Sequence, residues 1–164
     1  MSEIILTSEQ IEHKLERIAY QILEANGENN TIIIAGIVSN GYAVAERIAY
    51  YLKSNSKKNI LCCEVKVDKK NPRNPIQTSL DAKDYTDKSV VIVDDVLHTG
   101  TTLIYAVRHF LNVPLKKCKT AVLLDRNHKK FPIKADFKGI SLSTSLNENV
   151  IVEVRADRFT ALLN

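Results

Sequence analysis

Five short apolar runs, separated by amphipathic or polar stretches, constrain this chain more than any other feature. Thr31–Val38 carries Ile32, Ile33, Ile34 and Ile37. Ile60–Val67, Ser89–Val93, Thr120–Leu124 and Val150–Val154 follow. Each has the length of a strand, and none alternates strictly between apolar and polar. Such runs are the mark of strands covered on both faces, as in a parallel sheet between helices. Helical spacing fills the intervals. Thr7 and Gln10 form a capping-box pattern, Ile11, Leu15, Ile18 and Ile22 repeat on one face, and Asn26-Gly27 supplies the stop. Val44, Ile48, Tyr51 and Leu52 share a face of a second helix, and Thr102–Leu111 carries Leu103, Val107 and Phe110 on a third. Asp68–Lys88 shows no period and reads as a long loop, a length that usually means function or disorder. Asp125–Leu146 has little pattern and is expected to form a small cap over the sheet edge.

Composition excludes several classes. At 164 residues the chain suits one domain with a real core. Met1–Gln10 has neither a basic n-region nor an apolar h-region, so no secretory signal is expected. No apolar run approaches the roughly 20 residues of a bilayer span. Cys62, Cys63 and Cys118 are odd in number, and an adjacent pair on a strand points to opposite faces. They read as small buried hydrophobes in a reducing cytoplasm, the expected location. A net charge of +4 is too small to imply a nucleic-acid protein, and it suits a polyanionic small substrate equally well.

The richest stretch is Ser89–Thr102, SVVIVDDVLHTGTT. A buried strand runs into Asp94 and Asp95, and Thr99-Gly100-Thr101-Thr102 then opens a helix. Ligands of open α/β sheets bind beyond the carboxyl ends of the strands. A helix N-terminus there offers free N–H groups and a favourable dipole to a phosphate. Gly100 permits close backbone approach, and the threonines add hydroxyls. Carboxylates repel phosphate, so the acids call for a ligand that also brings donors or a metal, such as a ribose diol or Mg²⁺. The plainer alternative is that Asp95 and Thr99 only cap a turn and a helix. Gly36–Gly41 ends the first long strand in a similar way, with Ser39, Asn40 and Gly41 as a second amide cradle or an ordinary turn.

The run of strand, two acids, short spacer, Thr-Gly and helix resembles the phosphoribosyl pyrophosphate signature of type I phosphoribosyltransferases. Within that family, Arg17-Ile18-Ala19, Gly36-Ile37 through Ala45–Ile48, Asp125–Gly139, Ser143–Ser145 and Glu148–Val150 are similar to the bifunctional pyrimidine operon attenuation protein and uracil phosphoribosyltransferase. The resemblance covers about Leu15 to Val154. It implies a twisted, mostly parallel sheet of about five strands flanked by helices, in one domain over 1–164, with a core at about 30–125 and a hood or cap drawn from 1–28 and 125–164. Family members commonly form dimers or larger homo-oligomers. The chain also departs from the pattern. Asn40 and Thr101 stand where the attenuators carry arginine, His98 where they carry tyrosine, and Lys69–Arg73 replaces an acidic, arginine-containing segment. A guanidinium grips phosphate bidentately, and Asn or Thr cannot.

The resemblance implies attack of a nucleobase nitrogen on the anomeric carbon of phosphoribosyl pyrophosphate as pyrophosphate leaves. Asp94 and Asp95 would hold the ribose hydroxyls and a Mg²⁺ ion. Val96, Leu97, His98, Thr99, Gly100, Thr101 and Thr102 would bind phosphoribosyl pyrophosphate, and Ser39, Asn40 and Gly41 its pyrophosphate. Lys69, Lys70 and Arg73 would sit on a mobile loop that closes the site. Arg126, Ile133, Asp136 and Phe137 would read the base. The expected base is uracil. A purine base is one alternative. A nucleotide-sensing, RNA-binding regulator with little catalysis is another, supported by Lys116, Lys117, Lys119, Lys129, Lys130, Lys134 and Lys138.

Overall fold

Four of the five apolar runs lie side by side in one sheet, and the fifth does not. The computed structural model describes residues 2–145 and 147–164. Met1 and Leu146, the latter the end of the expected cap, lie outside the described residues. In chain order the elements are β1 (Glu3–Leu6), α1 (Ser8–Ala25), β2 (Thr31–Ile37), α2 (Asn40–Ser54), β3 (Asn59–Lys66), β4 (Gln77–Thr78), α3 (Ala82–Tyr85), β5 (Ser89–Leu97), α4 (Thr101–Phe110), β6 (Lys117–Asp125), β7 (Phe137–Ser141), β8 (Val150–Arg155) and β9 (Arg158–Leu163). The larger sheet has the order β4-β3-β2-β5-β6-β7. Its β3, β2, β5, β6 and β7 are mutually parallel, and β4 adds an antiparallel edge.

Period-two geometry divides the core between the two faces of this sheet. Ile32, Ile34, Val91, Val93, Ala121 and Leu123 face α1 and α2, meeting Ile18, Ile22, Val44 and Ile48. Ile33, Ala35, Val90, Ile92 and Val122 face α4 and Tyr85, which packs edge-on to Phe110 at 4.9 Å between ring centroids. Complete burial of each such side chain contributes about 1.5–3 kcal/mol, so isoleucine-rich β2, sealed on both faces, anchors the fold. The capping box of α1 forms as expected: Gln10 N–H donates to Thr7 Oγ1 at 3.3 Å, and Thr7 N–H donates to Gln10 Oε1 at 2.9 Å.

Two sequence expectations are corrected. The fifth parallel strand is β7, inside the stretch read as a patternless cap, whereas Val150–Arg155 belongs to a separate antiparallel sheet of order β1-β9-β8. The turn joining β8 to β9 places Ala156 and Asp157 at φ 48° and 63°. Neither is the glycine or asparagine that normally announces a tight hairpin, so this hairpin left little trace in the sequence. Asp68–Lys88 is likewise not a structureless loop. The Asp68 carboxylate accepts from Lys70 N–H (3.0 Å), Asn71 N–H (3.2 Å) and Asn74 Nδ2 (2.9 Å), and β4 and α3 follow.

Candidate active site

β5 runs through both acids, and the side chains of Asp94 and Asp95 lie close to each other on the wall of one cleft. Asp94 is only 6% exposed. The start of α2 presses on it: a Cβ added at Gly41 would lie 2.9 Å from Asp94 Oδ1 and 3.0 Å from the Val93 carbonyl. Gly41 therefore serves close packing rather than ligand contact. Asp94 Oδ1 accepts from Asp95 N–H, and Asp95 Oδ1 from Val96 N–H, each at 2.9 Å. Burial, then the neighbouring Asp95, push the Asp94 carboxyl well above the usual carboxylate range, and Lys69 opposes them.

Beyond the acids the chain turns into α4 through Gly100, at φ 87°. Gly100 gives α4 no side-chain cap of its own; Thr101 N–H donates to Thr99 Oγ1 at 3.3 Å, and the Thr102 and Leu103 amides that follow are left available to an anion. Thr99 and Thr101 hydroxyls lie 2.9 Å apart at its mouth. The turn is supported from behind, where Lys130 N–H (2.8 Å) and Phe131 N–H (3.3 Å) both donate to the Thr99 carbonyl. A Cβ at Gly100 would collide with Ile133 Cγ2. Ile133, expected in base recognition, thus buttresses the turn at Gly100.

These parts enclose a cleft of about 320 Å³. Asp94, Asp95 and Val96–Leu103 form one wall, Val150, Ile151 and Val152 another, and Asn40, Lys69, Val122 and Arg126 complete it. All seven residues expected from Val96 to Thr102 are in it. Ser39 and Gly41 do not line it. Asn40 does, but its Nδ2 donates to the Val152 carbonyl at 2.7 Å and so ties α2 to β8. Lys69 reaches the cleft. Lys70 does not, and Arg73 lines a different groove.

The base-reading set is the least supported. Asp136 and Phe137 lie just before and at the start of β7, the edge strand two places from β5, and neither lines the cleft. The Asp136 carboxylate accepts from Thr120 N–H (3.0 Å) and faces Thr120 Oγ1 at 3.3 Å, while Phe137 packs against the core. Reading this stretch as cap concealed the strand that carries it away. Arg126 does line the cleft, but it is 4% exposed and clamps the neighbouring segment. Its Nε donates to Thr144 Oγ1 at 3.1 Å, and its Nη2 to the Ser145 (3.4 Å) and Glu148 (2.5 Å) carbonyls. The apolar wall Val150–Val152 went unassigned because its strand was placed in the main sheet. His98 also lines the cleft, edge-on to His128 with centroids 5.9 Å apart. Burial, then Arg126, His128 and Lys130, lower its pKa below 6.5, so it is an uncharged imidazole at neutral pH.

Among the described residues no group of three or more His, Cys, Asp or Glu could cage a metal. Two adjacent carboxylates fit a Mg²⁺ ion that takes its other ligands from substrate phosphates and water. Of the seven lysines suggested for RNA, four are ion-paired, and Lys116, Lys119 and Lys130 have no ion pair among the described residues. Lys117 pairs with Glu28 (3.3 Å), Lys129 and Lys138 with Asp125 (3.5 and 3.7 Å), and Lys134 with Asp136 (3.8 Å). No helix among the described residues is long and apolar enough to cross a membrane.

A parallel sheet whose carboxyl edge holds two carboxylates beside a helix N-terminus is an arrangement able to take a sugar phosphate. The chain belongs to the phosphoribosyl transferase domain family, whose model matches residues 1–158. The Bifunctional protein PyrR of Streptococcus pneumoniae strain CGSP14 is 36% identical over 149 residues, spanning 88% of this chain and 85% of that protein, and the same values hold for serotype 19F strain G54. Among solved structures, a hypoxanthine-guanine phosphoribosyltransferase from Bacillus anthracis superposes with a TM-score of 0.74 at 19% identity, covering 100% of both chains. The hypoxanthine phosphoribosyltransferase of Trypanosoma cruzi gives 0.76 at 17% identity, covering 97% of this chain and 95% of that one. At such identities these two likenesses are of fold alone.

Proposed function

We propose that this phosphoribosyltransferase joins uracil to the ribose of phosphoribosyl pyrophosphate, releasing pyrophosphate and forming the nucleoside monophosphate. The observation that carries the reading is the cleft itself, which sets the Asp94–Asp95 pair against the start of α4. The 5′-phosphate takes the α4 amides and the Thr99, Thr101 and Thr102 hydroxyls. The ribose hydroxyls donate to Asp95 and Asp94, whose negative charge favours the cationic character that develops on the ring. Asp94 and Asp95 would hold Mg²⁺, which supplies charge stabilisation to the departing pyrophosphate. Lys69 adds a cation on the same side. The base lies against Val150–Val152, beside Arg126 and the neutral imidazole of His98. The β1-β9-β8 sheet is the hood over the cleft. The choice of uracil rests on the sequence resemblance to uracil phosphoribosyltransferases that double as pyrimidine operon attenuators.

The test is phosphoribosyl transfer with Mg²⁺ and a panel of uracil, hypoxanthine, guanine, adenine and orotate. Product from uracil alone is the expected result. Product from a purine would retain the ribose site and overturn the base assignment. Binding without any product would leave a nucleotide sensor.

A further inference from the structure

Outside the cleft, the loop that carries Lys69 continues into a second concavity. This groove, of about 240 Å³, lies between Pro72–Ile76 and the outer side of α4, where Tyr105, Arg108, His109 and Asn112 complete it. Its chemistry is one-sided. Arg73 and Arg108 both line it, no carboxylate does, and neither guanidinium has an ion pair or hydrogen bond among the described residues. Arg108 lies over the Tyr105 ring at 5.7 Å from its centroid, which orients its planar donor edge. His109 adds an independent sign. Its Nε2 is buried and has no hydrogen-bond partner, a rare and costly state for a polar atom.

We propose that this groove is a second anion site, which takes a phosphoryl group between Arg73 and Arg108, beside His109. Two guanidiniums without counter-charge are the usual recognition element for phosphate oxygens. The volume suits a phosphate or a small phosphorylated metabolite better than a large ligand. The site also has a route to the cleft. Asp68 organises the turn from Lys70 to Asn74 through its carboxylate, so Lys69 and Arg73 belong to one hydrogen-bonded unit. An anion that pins Arg73 to Arg108 therefore fixes the segment that presents Lys69 to Asp94 and Asp95.

The experiment is an NMR titration of ¹⁵N-histidine-labelled protein with inorganic phosphate. His109 reports the groove and His98 reports the cleft, so occupancy of the two places is read separately. Arg73, Arg108 and Tyr105 line the same groove as His109, whose pKa is lowered by burial alone, so a bound dianion adds an opposing influence. The expected result is a saturable shift of the His109 resonances with a rise in its pKa. The Arg73→Gln/Arg108→Gln double variant should weaken that response at least tenfold while the His98 response persists. A His109 signal that stays still while His98 moves overturns the groove site and leaves the cleft assignment intact. A His109 response of unchanged affinity in the double variant also overturns it. A still His98 beside a moving His109 counts against the cleft reading alone.

Discussion

The side chain of Asn40 donates to the main-chain carbonyl of Val152 at 2.7 Å, across 112 positions of sequence. This bond joins the start of α2, packed on Asp94, to the strand whose Val150–Val152 wall the cleft. A partly buried hydrogen bond of this kind contributes about 1 kcal/mol. Asn40→Ala should cost about that much stability, measured by denaturant unfolding. It should also speed amide exchange across Val150–Val154. Unchanged exchange there would mean that the hood is held by its β9 pairing alone.

Asp94 is buried beside another acid and carries a raised pKa, so its charge is held against a desolvation penalty. Asp94→Asn keeps the shape and removes the charge. Stability should hold or rise, while turnover falls at least tenfold, about 1.4 kcal/mol of transition-state stabilisation. Asp95→Asn should lose a similar factor. Near-normal turnover in both variants would sink the ribose assignment.

The parts of the molecule legible from sequence are those governed by local rules. Apolar runs of strand length, the Thr7–Gln10 capping box and the strand-acids-Thr-Gly-helix order each act over a few residues, and the structure places β2, β3, β5, β6, α1 and α4 within a few residues of expectation. What was missed depends on distant pairing. β7 is five residues long at a sheet edge and carries a lysine, and β9 becomes a strand by bonding to both β1 and β8. The base side of the cleft suffered most, because Val150–Val152 reach it only through that second sheet. Asp136 and Phe137 fall outside the cleft for the complementary reason. The strand that starts with Phe137 is bonded to β6 in parallel register, Ala121 opposite Phe137, which places it two strands from β5.

Gly100 holds a left-handed conformation in the phosphate turn, and an added Cβ would strike Ile133. Gly100→Ala combines backbone strain with a steric collision, together about 1–3 kcal/mol. Because the displaced turn carries the phosphate amides, affinity for phosphoribosyl pyrophosphate should fall more than stability does. Adding Ile133→Ala relieves the collision and not the strain, so the double variant should recover part of the loss. Strict additivity of the two changes would show that Ile133 does not support the turn.

Burial lowers the pKa of His109 below its ordinary 6.5, as it does for His98 with help from nearby cations. Each therefore binds a proton less readily folded than unfolded. Below pH 6.5 the unfolded chain takes up protons first, so the stability these side chains contribute is complete above that value and is lost as pH falls. His109→Leu should flatten the decline in melting temperature on the acid side of 6.5. A decline as steep as in the parent protein would mean that His109 titrates alike in both states.

Cys118 sits near the start of β6, and burial, reinforced by Asp136, pushes its thiol up to about 11. At pH 7 its thiolate fraction is then on the order of one in ten thousand, and only the thiolate is nucleophilic. Iodoacetamide should modify it far more slowly than a solvent-exposed cysteine, and the rate should climb about tenfold per pH unit while that fraction grows. Cys62 and Cys63 are raised by burial as well, so no cysteine should label quickly in the folded chain at neutral pH. Mass spectrometry of the modified peptides separates the three. Rapid labelling confined to Cys118 would require the first turns of β6 to open to solvent. That opening would loosen its pairing with β5 at Val90, on the strand that delivers Asp94 and Asp95 to the cleft.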